Sequence, residues 1–335
     1  MRTSEPRVVW ALIAGCCAGH PVEPSPAVEP TPPPVVEVAE PAAAEVFVAI
    51  DVEEAARRLW PRPGPTAYGP ASAAERAALG RLIGRMLTED PTPKGLAADA
   101  AAAGYAVEGW RLGGERVLVA LEATERRRGG GAYLVRVGST SPAILQAPHG
   151  FFDVGTERVA LEMFAAERGW PRALFVNTIH RYIGIDGVKA RRDENPADPC
   201  HAADHLFTVA TAAAIATVPR AEVVQLHGFG DEGEDAPAFA AIVSGGTKEV
   251  TVRSRGVAAG LRGALALPVG LYPVDTDKLG ATTNVQGREI RAYNERSGGA
   301  ATFVHVELSA TVRRQLATDP ALRQRVAAAL RASGS

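Results

Sequence analysis

Four apolar segments of the sequence run out into polar residues of chemically useful types. Residues 143–147 lead into Pro148-His149-Gly150, 173–176 into Asn177 and then Arg181, 223–226 into His227-Gly228, and 302–306 into Glu307. Two histidines and a carboxylate are the ligand set of hydrolytic zinc sites that keep one position open for water. His149 and His227 supply the imidazoles, and Asp153, in the same loop as His149, is near enough to close a chelate. An ion bound in this way lowers the pKa of its water and polarises a scissile carbonyl. A carboxylate outside the ligand set must then move protons, and Glu307 suits that task. Strand alternation puts it on one face with Phe303 and His305, with Val304, Val306 and Leu308 opposite. A charge ending such an apolar strand needs a partner or a function.

These residues meet only if their strands share a direction, because ligands of open α/β sheets bind outside the carboxyl ends of the strands. A glycine after each histidine lets the backbone turn sharply and leaves the imidazole at the sheet edge. Helical spacing over residues 157–168 and 205–217, and again over 312–316 and 321–330, alternates with the four strands. The pattern predicts an α/β fold, a mixed β-sheet flanked by helices. Before it, residues 52–60 and 72–87 read as helices, the second opening on a Ser72/Glu75 capping box. Residues 106–112, 117–122 and 132–137 read as an antiparallel meander joined by Gly-rich turns. This gives a block of helices and meander over 46–140 and a core over 141–332.

The chain has 335 residues, 46% hydrophobic and 22% charged, enough to bury a substantial core. A net charge of -2 supplies no basic field for a phosphate backbone, so nucleic acid is excluded as a partner. Arg2 and Arg7 precede a short apolar run, residues 8–14, that suits a signal peptide and is too short to span a bilayer. Ile13-Ala14-Gly15-Cys16 resembles the lipobox of bacterial lipoproteins. Residues 1–16 are therefore expected to be a lipoprotein signal, with Cys16 lipidated and the protein exported to the bacterial cell envelope on a membrane anchor. Residues 17–45, rich in Pro, Val, Glu and Ala, form a tether that cannot pack a core. Cys200 is left unpaired, so no disulfide framework supports the fold.

APHGFFDVGTE resembles the first metal motif of the poly-γ-glutamate hydrolases. QLHGF is similar to their second histidine motif, and VHVELSATVR to their Glu-Leu-Ser segment with its following arginine. N-formylglutamate amidohydrolases and, more distantly, zinc carboxypeptidases look like relatives. The resemblance covers residues 140–316. It implies a three-layer sandwich of the phosphorylase/hydrolase kind and cleavage of an amide bond next to a carboxylate, in a γ-glutamyl, N-acyl amino acid or cell-wall peptide substrate. One zinc ion would be held by His149, Asp153 and His227, with Glu307 as general base. The first loop departs from the family in length, in Phe151 and Phe152 and in an aspartate for a glutamate, which makes Glu157 the competitor of Asp153. Arg181, beside Asn177, stands where relatives hold a substrate carboxylate or polarise a carbonyl, and Arg313 is the arginine after Glu-Leu-Ser.

Other polar residues have plainer alternatives. Thr156 suits a helix cap. Asn284, Gln286 and Arg288 form a polar loop before the last strand that either lines the cleft or is merely exposed, and His180 and His305 either orient ligands or are structural. Asp198, Cys200, His201 and His205 make a rival metal cluster, since histidines four apart share a helix face. Two classes of function remain open, a zinc hydrolase of peptide-like or acyl-amino-acid substrates and a lipid-anchored binding module without turnover.

Overall fold

The strands expected to carry the site lie side by side and point the same way. In the computed structural model, β5 (Ala143–Ala147) pairs in parallel with both β6 (Ala173–Val176) and β7 (Glu222–Phe229), and β7 pairs in parallel with β10 (Thr302–Ser309). The structure describes residues 47–88, 91–189, 195–232 and 236–331. The signal and tether, with Cys16, lie outside these residues.

The four strands form the centre of a ten-stranded sheet. On one side, β6 is flanked in antiparallel fashion by β4 (Ala132–Arg136). Beyond β4 come β3 (Glu115–Glu122), β2 (Tyr105–Leu112) and the short β1 (Phe47–Ala49). On the other, β10 pairs with antiparallel β8 (Ala241–Ser244), followed by β9 (Val269–Leu271). The meander and the site-bearing strands are therefore one sheet.

Helices cover both faces, completing three layers. One face packs on α1 (Val52–Leu59), α4 (Thr156–Ala166), α6 (Val252–Leu265), α8 (Ala310–Thr318) and α9 (Pro320–Arg331). The other packs on α2 (Ala73–Met86), α3 (Pro93–Ala103), α5 (Leu206–Thr217) and α7 (Val285–Ser297). Alternation along β10 divides the cores, Val304, Val306 and Leu308 entering the first and Phe303 the second. The predicted capping box is formed, with the Ser72 hydroxyl accepting from Glu75 N–H and the Glu75 carboxylate from Ser72 N–H.

Three expectations change. The segment after Thr282 is no loop, because Asn284 caps α7 by accepting from Gly287 N–H, which starts a helix at Val285. Both site strands run past the polar residues expected to end them, β7 to Phe229 and β10 to Ser309. Thr156 caps no helix N–H; its hydroxyl donates to the Asp153 carbonyl and closes the loop before α4.

Candidate metal and catalytic centre

Strand register sets the first distance of the site. His227 and Glu307 are direct neighbours in the parallel β7–β10 pair, and Gln225 and His305 are neighbours two residues earlier. All four side chains fall on the face of α5 and α7. His149 follows β5, where a tight loop folds back, Phe152 and Asp153 N–H both bonding to its carbonyl. That loop brings Asp153 Oδ2 to 3.5 Å from His149 Nδ1 and 3.2 Å from His227 Nδ1. The two imidazoles meet edge to face at 4.7 Å, and all three residues are buried. Glu157, the competing carboxylate, turns instead to Gly155 N–H and packs over Gly150.

The glycines after the histidines act through their missing side chains. Neither adopts a positive φ. A Cβ on Gly150 would meet Glu157 Cβ at 2.7 Å, and one on Gly228 would meet Arg313 Nη1 at 2.0 Å. Their role is room for two neighbours, which corrects the expectation of sharp turns.

A cavity of about 450 Å³ opens on these groups. It is lined by His149, Asp153, Arg181, His227, His305 and Glu307, with Phe152, Tyr182, Tyr272 and residues 279–284 at its sides. The rival cluster belongs to this same centre. Cys200 and His201 line the cavity, and Asp198 Oδ1 lies 3.0 Å from His149 Nε2 while Oδ2 takes bonds from Arg181 and His201. Only His205 departs. Its Nδ1 accepts from Phe207 N–H at the start of α5, and its ring stacks on Tyr68. Among the described residues, the groups whose ligand atoms all lie within 4.8 Å of one another are His149, Cys200 and His227, and His227, His305 and Glu307; Asp153 is in neither.

The remaining sequence candidates divide. Arg181 is in the cavity, with Nη1 donating to His149 Nδ1 at 3.0 Å and Nη2 to Asp198. Its buried Nε–H has no partner among the described residues. Asn284 lines the cavity and donates to Gln225 Oε1. Asn177 lies behind it, both ends of its amide engaged by Thr178 and Ile179. Gln286 is buried below the floor, bonded to Pro199, Thr208 and Gln225. Arg313 is clamped on backbone carbonyls of Val154, Phe229 and Leu308. His180 accepts from Tyr182 N–H, and Phe152 stands at the cavity mouth against His180 and Tyr182.

Charge inside the site follows from burial and neighbours. Burial raises the Glu307 pKa and the charge of Asp153 adds to this, while the histidines and Arg313 oppose it, leaving it at about 7. Its Oε2 has no hydrogen-bond partner among the described residues. Burial also works to raise Asp153, but its two imidazole partners hold it well below the usual carboxylate range. His227 is pulled down by burial and up by Asp153 and Cys200, and the latter prevail at about 9. His305 is pushed down by burial and by the neighbouring His227 charge.

A divalent cation fits this donor set. Two imidazole nitrogens converge on one carboxylate oxygen, and on the same cavity lies buried Glu307, whose Oε1 is 3.4 Å from His305 Nε2 and whose Oε2 has no hydrogen-bond partner among the described residues. Such an ion must displace the proton shared between His227 Nδ1 and Asp153, and must displace the Arg181 hydrogen bond from the lone pair of His149 Nδ1.

No family model and no curated protein matches the sequence. Some solved structures are similar to the chain at low identity and low TM-score. N-formylglutamate amidohydrolase from Ralstonia eutropha JMP134 is 11% identical at a TM-score of 0.39, over 58% of this chain and 94% of its own. An aspartoacylase family protein from Mesorhizobium loti is 15% identical at 0.35, over 68% and 67%. A metallo-carboxypeptidase from Burkholderia cenocepacia is 14% identical at 0.36, over 72% and 69%. Two of the kinds of protein that the motifs resemble are thus among the structural neighbours. Function rests on the geometry of the site itself.

Proposed function

We propose that the protein is a metal-dependent hydrolase of an amide or peptide bond, with one zinc ion held by His149, His227 and Asp153. The observation that carries this reading is the convergence of both Nδ1 atoms on Asp153 Oδ2 beside Glu307, whose Oε2 has no hydrogen-bond partner among the described residues. A zinc ion bound there supplies Lewis acidity, polarising the scissile carbonyl and making water acidic near neutral pH. Glu307 takes the proton of the attacking water on Oε2 and returns it to the leaving amine, a transfer for which a pKa near the working pH is best suited. Arg181 lines the cavity and supplies a fixed positive charge for the substrate carbonyl or carboxylate. Phe152, Tyr182 and Tyr272 wall the cavity and limit water around the reacting bond.

The substrate class, an acyl-amino acid or peptide with a carboxylate near the cleaved amide, belongs to the proposal through the motif resemblance. Placement on a lipid anchor in the cell envelope rests on residues 1–45 alone. The test is zinc content and turnover of N-acyl amino acids and γ-glutamyl peptides by the wild type and Glu307→Gln. Stoichiometric zinc in both, with turnover reduced about 10²- to 10⁴-fold in the variant, is expected. A protein that takes up no divalent metal overturns the proposal. Binding of these compounds without hydrolysis, unaffected by the substitution, makes it a binding module instead.

A further inference from the structure

The loop that carries His149 and Asp153 has two sides. His149, Phe152 and Asp153 line the catalytic cavity, whereas Gly150, Phe151 and Val154 line a hollow of about 790 Å³ on the other side. A second hollow of about 380 Å³ adjoins it, the two having Arg57, Trp60, Pro61 and Phe151 in common. Together they form a groove between the loop and the C-terminal end of α1, and the groove shares no lining residue with the catalytic cavity.

The middle of the groove is apolar and held in place. The Trp60 indole N–H donates to the Asn177 carbonyl at 3.1 Å, which fixes the ring. Phe151 and Val154 are exposed, at 38% and 69%. A ring already anchored by its own hydrogen bond loses little freedom when a ligand covers it.

Charges around this middle are matched except at two points. Glu53 pairs with Arg158, Glu108 with Arg58, and Arg57 with Glu54. Glu122 is turned onto the N–H groups of Arg128, Gly129 and Gly130 and the Thr178 hydroxyl, and Glu157 onto Gly155 N–H. Burial raises the pKa of both carboxyls, that of Glu157 to about 7. Arg127 on the smaller hollow and Arg62 on the larger are exposed, with no ion pair or hydrogen bond among the described residues. One unmatched cation therefore stands in each hollow, with the shared apolar residues between them.

We propose that this groove binds an extended peptide with an apolar side chain between two acidic ones, the apolar group covering Trp60 and Phe151 and the carboxylates meeting Arg127 and Arg62. An extended chain repeats its side-chain direction every second residue, so acidic, apolar and acidic groups at alternate positions face one way. A guanidinium holds a carboxylate by two parallel hydrogen bonds, and Trp and Arg are the side chains that most often dominate such interfaces. The groove needs no metal ion, so this inference is independent of the proposed hydrolysis.

The experiment is titration calorimetry of the full-length protein with acetyl-Glu-Ala-Phe-Ala-Glu-amide and with the same peptide carrying lysine for both glutamates. Both ends are capped, so no terminal carboxylate is offered to the catalytic cavity. The wild type should bind the acidic peptide, less tightly as salt is raised, and the lysine peptide at least about 10-fold more weakly. Arg62→Glu and Arg127→Glu should each weaken binding of the acidic peptide about 5- to 10-fold, and Phe151→Ser about 10-fold. The two arginine variants lose no partner within the described residues and are expected to fold, so they decide the matter even where Phe151→Ser does not fold. A wild type that binds neither peptide, or both equally, overturns the proposal. So does an affinity for the acidic peptide that either arginine variant leaves unchanged.

Discussion

Gly228→Ala tests how the loop carrying Asp153 is held. The new Cβ would lie 2.0 Å from Arg313 Nη1, 2.4 Å from Cζ and 2.9 Å from Nε, so the guanidinium must leave. That group donates to the carbonyls of Val154, Phe229 and Leu308, tying the 149–154 loop to the ends of β7 and β10. Hydrogen bonds to a charged group contribute about 1.5–3 kcal/mol each, and buried carbonyls left without donors add to the loss. Displacing two of the three gives an expected destabilisation of about 3–6 kcal/mol. In an Arg313→Ala background the space is already open. There Gly228→Ala should cost under about 1 kcal/mol, because alanine also restricts the unfolded chain. Urea denaturation of the wild type, both single variants and the double variant measures the coupling. Equal costs of Gly228→Ala in both backgrounds, or a cost below about 1 kcal/mol in the wild type, would refute the clamp.

Two smaller predictions accompany it. Burial is the main cause that raises Glu157 from its ordinary value of 4.5 to about 7, so the folded state binds this proton more tightly than the unfolded one. Its contribution to stability is complete below pH 4.5 and is lost as pH rises to about 7, roughly 3 kcal/mol in all. Glu157→Gln should therefore gain about that much on the wild type between acid and mildly alkaline pH in denaturation curves, and parallel curves would contradict the assignment. Ser72→Ala removes one half of the capping box on α2 and should cost about 1 kcal/mol by the same measurement, with no change in zinc affinity.

Much of the centre could be read from residue order because the sheet is parallel where it matters. An apolar strand followed by His-Gly, or ending near a glutamate, states both the element and the exposed group. Adjacent parallel strands then bring those groups together. Capping boxes and 3.6-residue spacing are local signals, so α1 and α2 were legible. Helix α7 was not, because TTNVQGRE has Val285 as its one apolar side chain and its start depends on one asparagine cap. Asp198 and Cys200 look like helix-start residues in sequence and enter the site only because their turn packs against the ends of β5 and β7. Gln146 and Gln225 had a signal, an amide in the middle of the apolar strings AILQA and VVQLHG. A buried amide asks for partners, and those partners are supplied by α5 and α7, from distant parts of the chain.

The pairing of β7 with β10 runs unbroken through eight residue pairs, from Thr302 and Glu222 to Ser309 and Phe229. Glu307 and His227 are therefore spaced by the separation of adjacent strands, about 4.8 Å, and not by side-chain packing. This divides the protein into a part that cannot drift and a part that can. The Glu307 carboxylate and the His227 imidazole are ruled onto the sheet, whereas Phe152, Tyr182 and Leu279 stand on connecting segments at the cavity's sides. Selection for new substrates, in the laboratory or over generations, has those walls to work with, and libraries that vary them while leaving 225–229 and 305–309 intact should change what is cleaved before they change whether cleavage occurs.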